Sequence, residues 1–586
     1  MSTIKKNTSH LSRIAPIIAI IIAYITDVLY VAINGRNLIN SDASAEMMLG
    51  RLLNSTGGVI TDKWHYSSEI RVLNTQLVYR LAMALFPDNW HYARVFAVAV
   101  FLLILILSAL ILVKTAKLGT SGLWWCAAIV LPVGQWYGWN VIYNSYYIPH
   151  IAISLVSVAL IIAYSRLAKD QTTAQQQSQP AAQQQSQPAV QQESQTAAQQ
   201  QNQTNASATG TDSNYIINSK QIITLVLICV LGFVAGLGGT RQLMICYAPA
   251  LIAAVLFYLE QKAAKPGCNT AAEPVLTSEK PGCNTATKSL LTASTFMLVA
   301  AAAGYLVNSR VFTKIFSFTN YSDIKLNDFS LDSVISCLGD LIAQIGWQGN
   351  QQLLSLKGIA SVLGASACFA GLVLLCKLIR KKSNESGQHF LYLFIGASLV
   401  ICLIVYSQTG TYNCSYWIPL LPFVVLALIM GVYSVADNFF RRGTAAVVMV
   451  IVVLWLSSIA TMQNPYISWV PNDLTIQKVS DWLIENGYTQ GYATFWSSDV
   501  ITELTDGRIE MWTVNDMNEL DTNKWLQETS HDTETPEGSF FIIVTSDEYT
   551  QNAGTWKLAS LTDYLVYGDD NYFVFAFDSV EEYMGM

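Results

Sequence analysis

Apolar residues fall along this chain in runs of about 20, the length that crosses a hydrocarbon core. Eleven such runs predict transmembrane helices, at 14–34, 93–113, 121–139, 147–165, 221–238, 242–260, 289–308, 354–377, 389–407, 416–436 and 445–462. After residue 462 the pattern changes. "LTIQKVSDWLIENGY" has apolar positions at helical spacing, whereas "GYATFW", "RIEMWTV", "SFFIIVTS" and "NYFVFAFD" have the composition and length of strands. The expected fold is a polytopic α-helical membrane protein of about 11 transmembrane helices followed by a small C-terminal α/β domain. Its expected division is 1–462 for the membrane part and 463–586 for the second domain.

Charge supplies the orientation. Only 12% of the 586 residues are charged, against about 25% in soluble proteins. Lys5, Lys6 and Arg13 precede the first run, Lys114 and Lys117 follow the second, and Arg166 and Lys169 follow the fourth. Lys262 and Lys265, then Lys377, Arg380, Lys381 and Lys382, then Arg441 and Arg442 occupy later alternate loops. With eleven spans all of these lie on one side, and the positive-inside rule makes it the cytoplasm. The N-terminus is then inside and the C-terminal domain extracytoplasmic, in a plasma-membrane protein. The first run has no small-residue cleavage site after it, so it is expected to be retained. The net charge of −7 comes mostly from the C-terminal part, and no nucleic-acid partner is expected.

Two cytoplasmic segments lack any apolar face. A Gln-rich insert at about 170–215 carries an eight-residue repeat, "AAQQQSQP", and is expected to be disordered. The loop 261–288 repeats "KPGCNTA" at an interval of fifteen. Most of the ten cysteines fall in or beside apolar runs, where Cys packs as a small hydrophobe. Cys337 and Cys414 fall on the outer side, where either a pair or two free thiols fits.

Polar chemistry concentrates in the first outer loop, 35–92. In "SDASAEMMLGRLL", Asp42 and Glu46 stand one helical turn apart and share a face, with Ser41 placed as an N-cap. Met48, Leu49, Leu52 and Leu53 can line the opposite side, so the helix suits the membrane interface. The loop then supplies Asp62, Lys63, Trp64, His65, Tyr66, Glu69 and Arg71. Two readings stay open: a site for a polar ligand with a lipid tail, or ordinary solvated loop residues.

The order of first span, acidic loop, amphipathic helix, Gly57 and Gly58, aromatic loop and Ala93-Arg94 at the second span resembles the GT-C superfamily. These are polyprenyl-phosphate-sugar-dependent membrane glycosyltransferases, including protein O-mannosyltransferases and aminoarabinose transferases. "GFVAGLGGTRQLMICYAPALIAAV" and "TGTYNCSYWIPLLPFVVLAL" are similar to the glycine-rich segment and the late Pro-containing span of that family. The resemblance implies a sugar moved from a polyprenyl-phosphate donor to an envelope glycan, lipid or protein acceptor. It implies Asp42 as base, with Glu46 assisting or binding acceptor or metal, and Arg241, Arg94 and Arg71 as cations for the leaving phosphate. Ligand contacts fall to Trp64, His65, Tyr66, Tyr146, His150 and Tyr412. An interfacial arginine that snorkels, an aromatic belt and a satisfied structural histidine remain the alternative readings. No cofactor is certain. The chain departs from the family in having Asp42-Ala43 where two adjacent acids are common and in lacking Asp-x-Asp, so a divalent metal stays open.

Other functions are expected to leave other marks. A flippase-type transporter predicts broken mid-bilayer segments in an internal repeat, and the spans show no repeat. A lipid-linked-saccharide polymerase or ligase predicts large outer loops rich in Arg and His.

Overall fold

The computed structural model describes residues 2–39, 41–67, 72–178, 219–263, 281–318, 330–349, 351–383, 385–409, 412–440, 443–461 and 475–586. Arg71, the body of the Gln-rich insert and most of the "KPGCNTA" loop lie outside the described residues. Nine described helices are long and apolar enough to cross a membrane, each at one of the expected runs. Two shorter apolar helices, Gly119–Val130 and Gly443–Ser458, stand where the other two spans are expected. The chain is therefore a multi-pass α-helical membrane protein with a C-terminal sheet domain. The helix after His150 runs further than its apolar segment, to Ser178, and so enters the Gln-rich insert.

The bundle turns its aliphatic side chains outwards as well as inwards. Ile17, Ile18, Ile21, Ile22, Leu103 and Leu107 are all exposed, an arrangement that water penalises and a bilayer does not. Helix contacts rely on small residues instead. Gly232 and Gly236 face the helix Pro281–Arg310, where a Cβ on Gly236 would lie 2.0 Å from the carbonyl of Ala301. Gly304 answers from the other side, its Cβ position 2.1 Å from the carbonyl of Phe233. This is backbone-to-backbone packing of the small-xxx-small kind. Asn308 then donates from its side-chain amide to the carbonyl of Leu237, joining the two helices at that end.

One end of the bundle is capped by short elements. The first loop folds into helix α2 (Ser41–Thr56), following the long first helix α1 (Ser2–Asn34), and into helix α3 (Gln76–Leu85) before the second span, α4 (Trp90–Ala116). Between them runs the two-residue strand β1 (Trp64–His65). Gly50 of α2 sits against the α3 backbone, with its Cβ position 2.8 Å from the amide of Arg80. A further amphipathic helix, Leu331–Gln344, has Leu331, Ile335 and Leu338 exposed and Cys337 and Leu341 buried.

The C-terminal domain is a sheet of six strands. In chain order its strands are β2 (Gln490–Ala493), β3 (Glu510–Asp516), β4 (Asp521–Thr522), β6 (Phe540–Thr545), β7 (Leu565–Gly568) and β8 (Tyr572–Phe577). They lie in the order β4-β3-β2-β6-β8-β7, with β2 parallel to both β3 and β6. The strand β5 (Gln527–Glu528) leaves this sheet to pair antiparallel with β1 of the first loop. The domain is thereby stitched to the membrane part by main-chain hydrogen bonds.

Candidate functional site

Two groups of side chains gather at the capped end. The first is built on α2. Glu46 is buried and accepts hydrogen bonds from Asn74 Nδ2 at 3.0 Å and Thr75 Oγ1 at 2.8 Å. It lines a small cleft with Trp64, Tyr66 and Asn74. Asp42 is half-buried in the first turn of α2. Ser41, just before it, donates through Oγ to the carbonyl of Trp496, at 2.9 Å. The expected N-cap hydroxyl thus reaches across to the second domain.

Trp64 and His65 are buried in the join with that domain. His65 lies 2.6 Å from Ser317 Oγ through Nδ1 and 3.0 Å from Asp532 Oδ2 through Nε2. Burial lowers its pKa from the ordinary histidine value, and the Asp532 carboxylate partly offsets this. Tyr66 is buried too, and its hydroxyl accepts from the amide of Thr61 at 2.9 Å.

Arg94 stands at the head of α4 and is 1% exposed. Its Nε and Nη2 grip both carboxylate oxygens of Glu503, a residue of the helix Ser498–Leu504 in the C-terminal domain. Its Nη1 donates to Asn144 Oδ1 at 3.0 Å, while Ser44 of α2 donates to Glu503 Oε2 at 2.6 Å. A buried, two-pronged pair of this kind has its charge already matched. Asp499, one turn before Glu503, is also buried, and its pKa is pushed up to about 8 by desolvation and by Glu503 and Glu528.

The second group surrounds Arg241. The helix Ser219–Gly236 is followed by a turn containing Gly239, whose φ of 96° suits glycine, and Arg241 comes two residues later. Its guanidinium carbon lies 5.7 Å from the ring centre of Tyr147 and 5.4 Å from that of Tyr416. Both distances fall within cation–π range. Tyr147 neighbours Tyr146, at 5.4 Å between rings, and His150, at 6.2 Å. Tyr416 neighbours Tyr406 and Tyr412 at 5.9 and 6.2 Å. Gln242 donates to the carbonyl of His150 at 3.0 Å and accepts from Ser154 at 3.1 Å. Burial and the nearby Asp340 raise the pKa of Tyr412.

Four residues of chain link the groups. Asn144 holds Arg94, and Tyr147 lies against Arg241; Ser145 between them adopts a left-handed φ of 60°. Of the residues expected from sequence, Tyr146, His150 and Tyr412 come together around Arg241, and Trp64 and Tyr66 around Glu46. Cys337 and Cys414 are both free thiols. Sequence reasoning missed Glu503 and Asn144 as site-building residues. Glu503 is 409 positions from Arg94, and nothing local in "VITELTDG" marks it.

The arrangement of a helical membrane bundle, short capping helices and a C-terminal sheet domain is similar to that of solved structures. The particular likeness is to ArnT from Cupriavidus metallidurans bound to undecaprenyl phosphate, with a TM-score of 0.54, 12% identity, and 96% of this chain and 97% of that chain covered. The apo state of the same protein aligns at 0.48 and 13% over the same shares. The Archaeoglobus fulgidus oligosaccharyltransferase in complex with Zn and sulfate aligns at 0.44 and 11%, covering 91% of this chain and 69% of that one. No family model matches the chain, and no curated protein matches it. At 12% identity the likeness to ArnT is one of fold.

Proposed function

We propose that the protein is a membrane glycosyltransferase that moves a sugar from a polyprenyl-phosphate donor to a hydroxyl acceptor. The observation that carries this reading is Arg241, held against two tyrosine rings just beyond the end of a membrane helix. A phosphate leaving group needs a cation placed before the charge develops, in surroundings drier than bulk water. The aromatic walls supply such surroundings. The ArnT whose fold this chain shares was crystallised with undecaprenyl phosphate, which agrees with a donor of this class.

In the reaction the acceptor oxygen attacks the anomeric carbon and the bond from that carbon to the phosphate oxygen breaks. Polyprenyl phosphate departs against Arg241. Asp42 takes the hydroxyl proton, the task of a general base at the edge of the site. Glu46, bonded to Asn74 and Thr75, holds the loop around α2 rather than sharing the proton. Arg94 acts through its pairing with Glu503, while Trp64, His65 and Tyr66 shape the loop. Tyr146, His150 and Tyr412 line the donor side. Among the described residues no group of three or more His, Cys, Asp or Glu side chains is set to hold a metal, and no step is routed through one.

The Lys and Arg pattern favours a cytoplasmic N-terminus and places the site and the C-terminal domain outside the plasma membrane. The test is transfer from radiolabelled undecaprenyl-phosphate sugars in proteoliposomes carrying envelope acceptors. Asp42→Asn should lower kcat by at least about 100-fold, the usual worth of a general base. Arg241→Ala should weaken both donor binding and turnover. Unchanged transfer by Asp42→Asn removes the base, and silence of the wild type with every such donor overturns the reading.

A further inference from the structure

The sheet of the C-terminal domain has a place where ligands collect in open α/β sheets. Strand β2 is flanked by two parallel neighbours: the chain goes from β2 to β3 on one side and returns later to β6 on the other. Such a reversal opens a crevice beyond the carboxyl ends of the strands. Here Thr494, after β2, donates through Oγ1 to Oε1 of Glu548, after β6, at 2.5 Å, and so ties the ends of the two strands together.

The segment leaving β2 turns one residue outwards. Phe495 is 5% exposed and packs with the membrane-side core, and Ser497 and Ser498 are 2% and 0% exposed. Trp496 between them is 66% exposed. An indole so open between such rigidly held neighbours does not serve the core. Its own carbonyl receives the Ser41 hydroxyl, one residue from Asp42. The carboxyl end of the sheet is therefore pinned to the start of the helix that carries the proposed base.

Resting on the transferase reading above, we propose that Trp496 is the acceptor-binding contact of the site, stacking on a sugar ring whose hydroxyl is offered to Asp42. The indole presents a flat apolar face to the C–H face of a pyranose. Asp42 and the Thr494–Glu548 pair supply polar groups for the hydroxyls at its rim. The donor side, around Arg241, and the acceptor side, at Trp496, thus come from different parts of the chain.

The test separates acceptor use from donor use. Trp496→Ala and Trp496→Phe are reconstituted and assayed for sugar transfer to two probes, native envelope membranes and the soluble envelope glycan fraction. Hydrolysis of the undecaprenyl-phosphate sugar by water is measured without acceptor. Trp496→Ala should raise the acceptor KM about five- to tenfold, the worth of one stacked ring, with Trp496→Phe near wild type. Donor KM and hydrolysis should not change, and the fraction that shows the shift tells whether the sugar is lipid-borne or free. An unchanged acceptor KM overturns the assignment. So does an equal loss of transfer and hydrolysis in both variants, which marks a structural or membrane-anchoring ring. A wild type that neither transfers nor hydrolyses overturns the transferase reading itself, and this inference with it.

Discussion

Arg94 and Glu503 illustrate how much one buried ion pair can organise. The guanidinium stands at the capped end of a span and reaches the loop after the second short helical turn through Asn144 and the C-terminal domain through Glu503, while Ser44 brings in α2. Removing one partner strands the other in a desolvated place. Glu503→Gln is expected to destabilise by about 3–5 kcal/mol, read as a lower thermal midpoint in detergent. Asp499 works in the other direction. Its folded pKa of about 8 lies above that of a free aspartate, so the folded protein resists ionising a group that the unfolded chain ionises readily. The stability present below about pH 4 is lost as pH rises towards 8. Asp499→Asn should therefore raise the thermal midpoint at pH 8 and leave it nearly unchanged at pH 4.

At the scale of elements, the helix pair that leads to Arg241 depends on glycine rather than on side-chain fit. Gly236 has no room for a Cβ, because the Ala301 carbonyl occupies its place. Gly236→Ala should cost about 1–3 kcal/mol by prising the helices apart. It should also weaken donor binding, measured as an increased donor KM, because Arg241 follows the turn at the end of this helix. The spans themselves were legible in the chain, since apolar length answers to bilayer thickness and to little else. The capping elements were less so. The helix at Ser41 was expected from its N-cap and spacing, but α3 and the pairing of β1 with β5 were not. Two residues of strand carry no pattern of their own, and their partner lies more than 450 positions away.

The whole molecule joins two units by a shared sheet, a buried ion pair and a helix contact. Deleting residues 463–586 would remove β5, Glu503 and Trp496 at once. The truncated bundle should still insert, because its spans are set by hydrophobicity. Its first loop should lose order, read as increased hydrogen exchange over residues 41–66, and sugar transfer should disappear. A bundle that keeps full transfer after this deletion would show that the domain stands outside the site.

The chain alone determined the membrane class, the places of the helices, the sheet domain at the end and Asp42 and Arg241 as residues to watch. These follow from local quantities: run length, charge placement and spacing along one helix. The tertiary structure decided which of the remaining candidates are already held by other side chains. Glu46, Arg94 and His65 have the chemistry of site residues, yet each is satisfied by partners far away in sequence. Trp496 looks like an ordinary strand-end aromatic until its neighbours are seen to be buried and its carbonyl is seen to be tied to Ser41. Burial and pairing are properties of the packed chain, and no pattern in a single segment carries them.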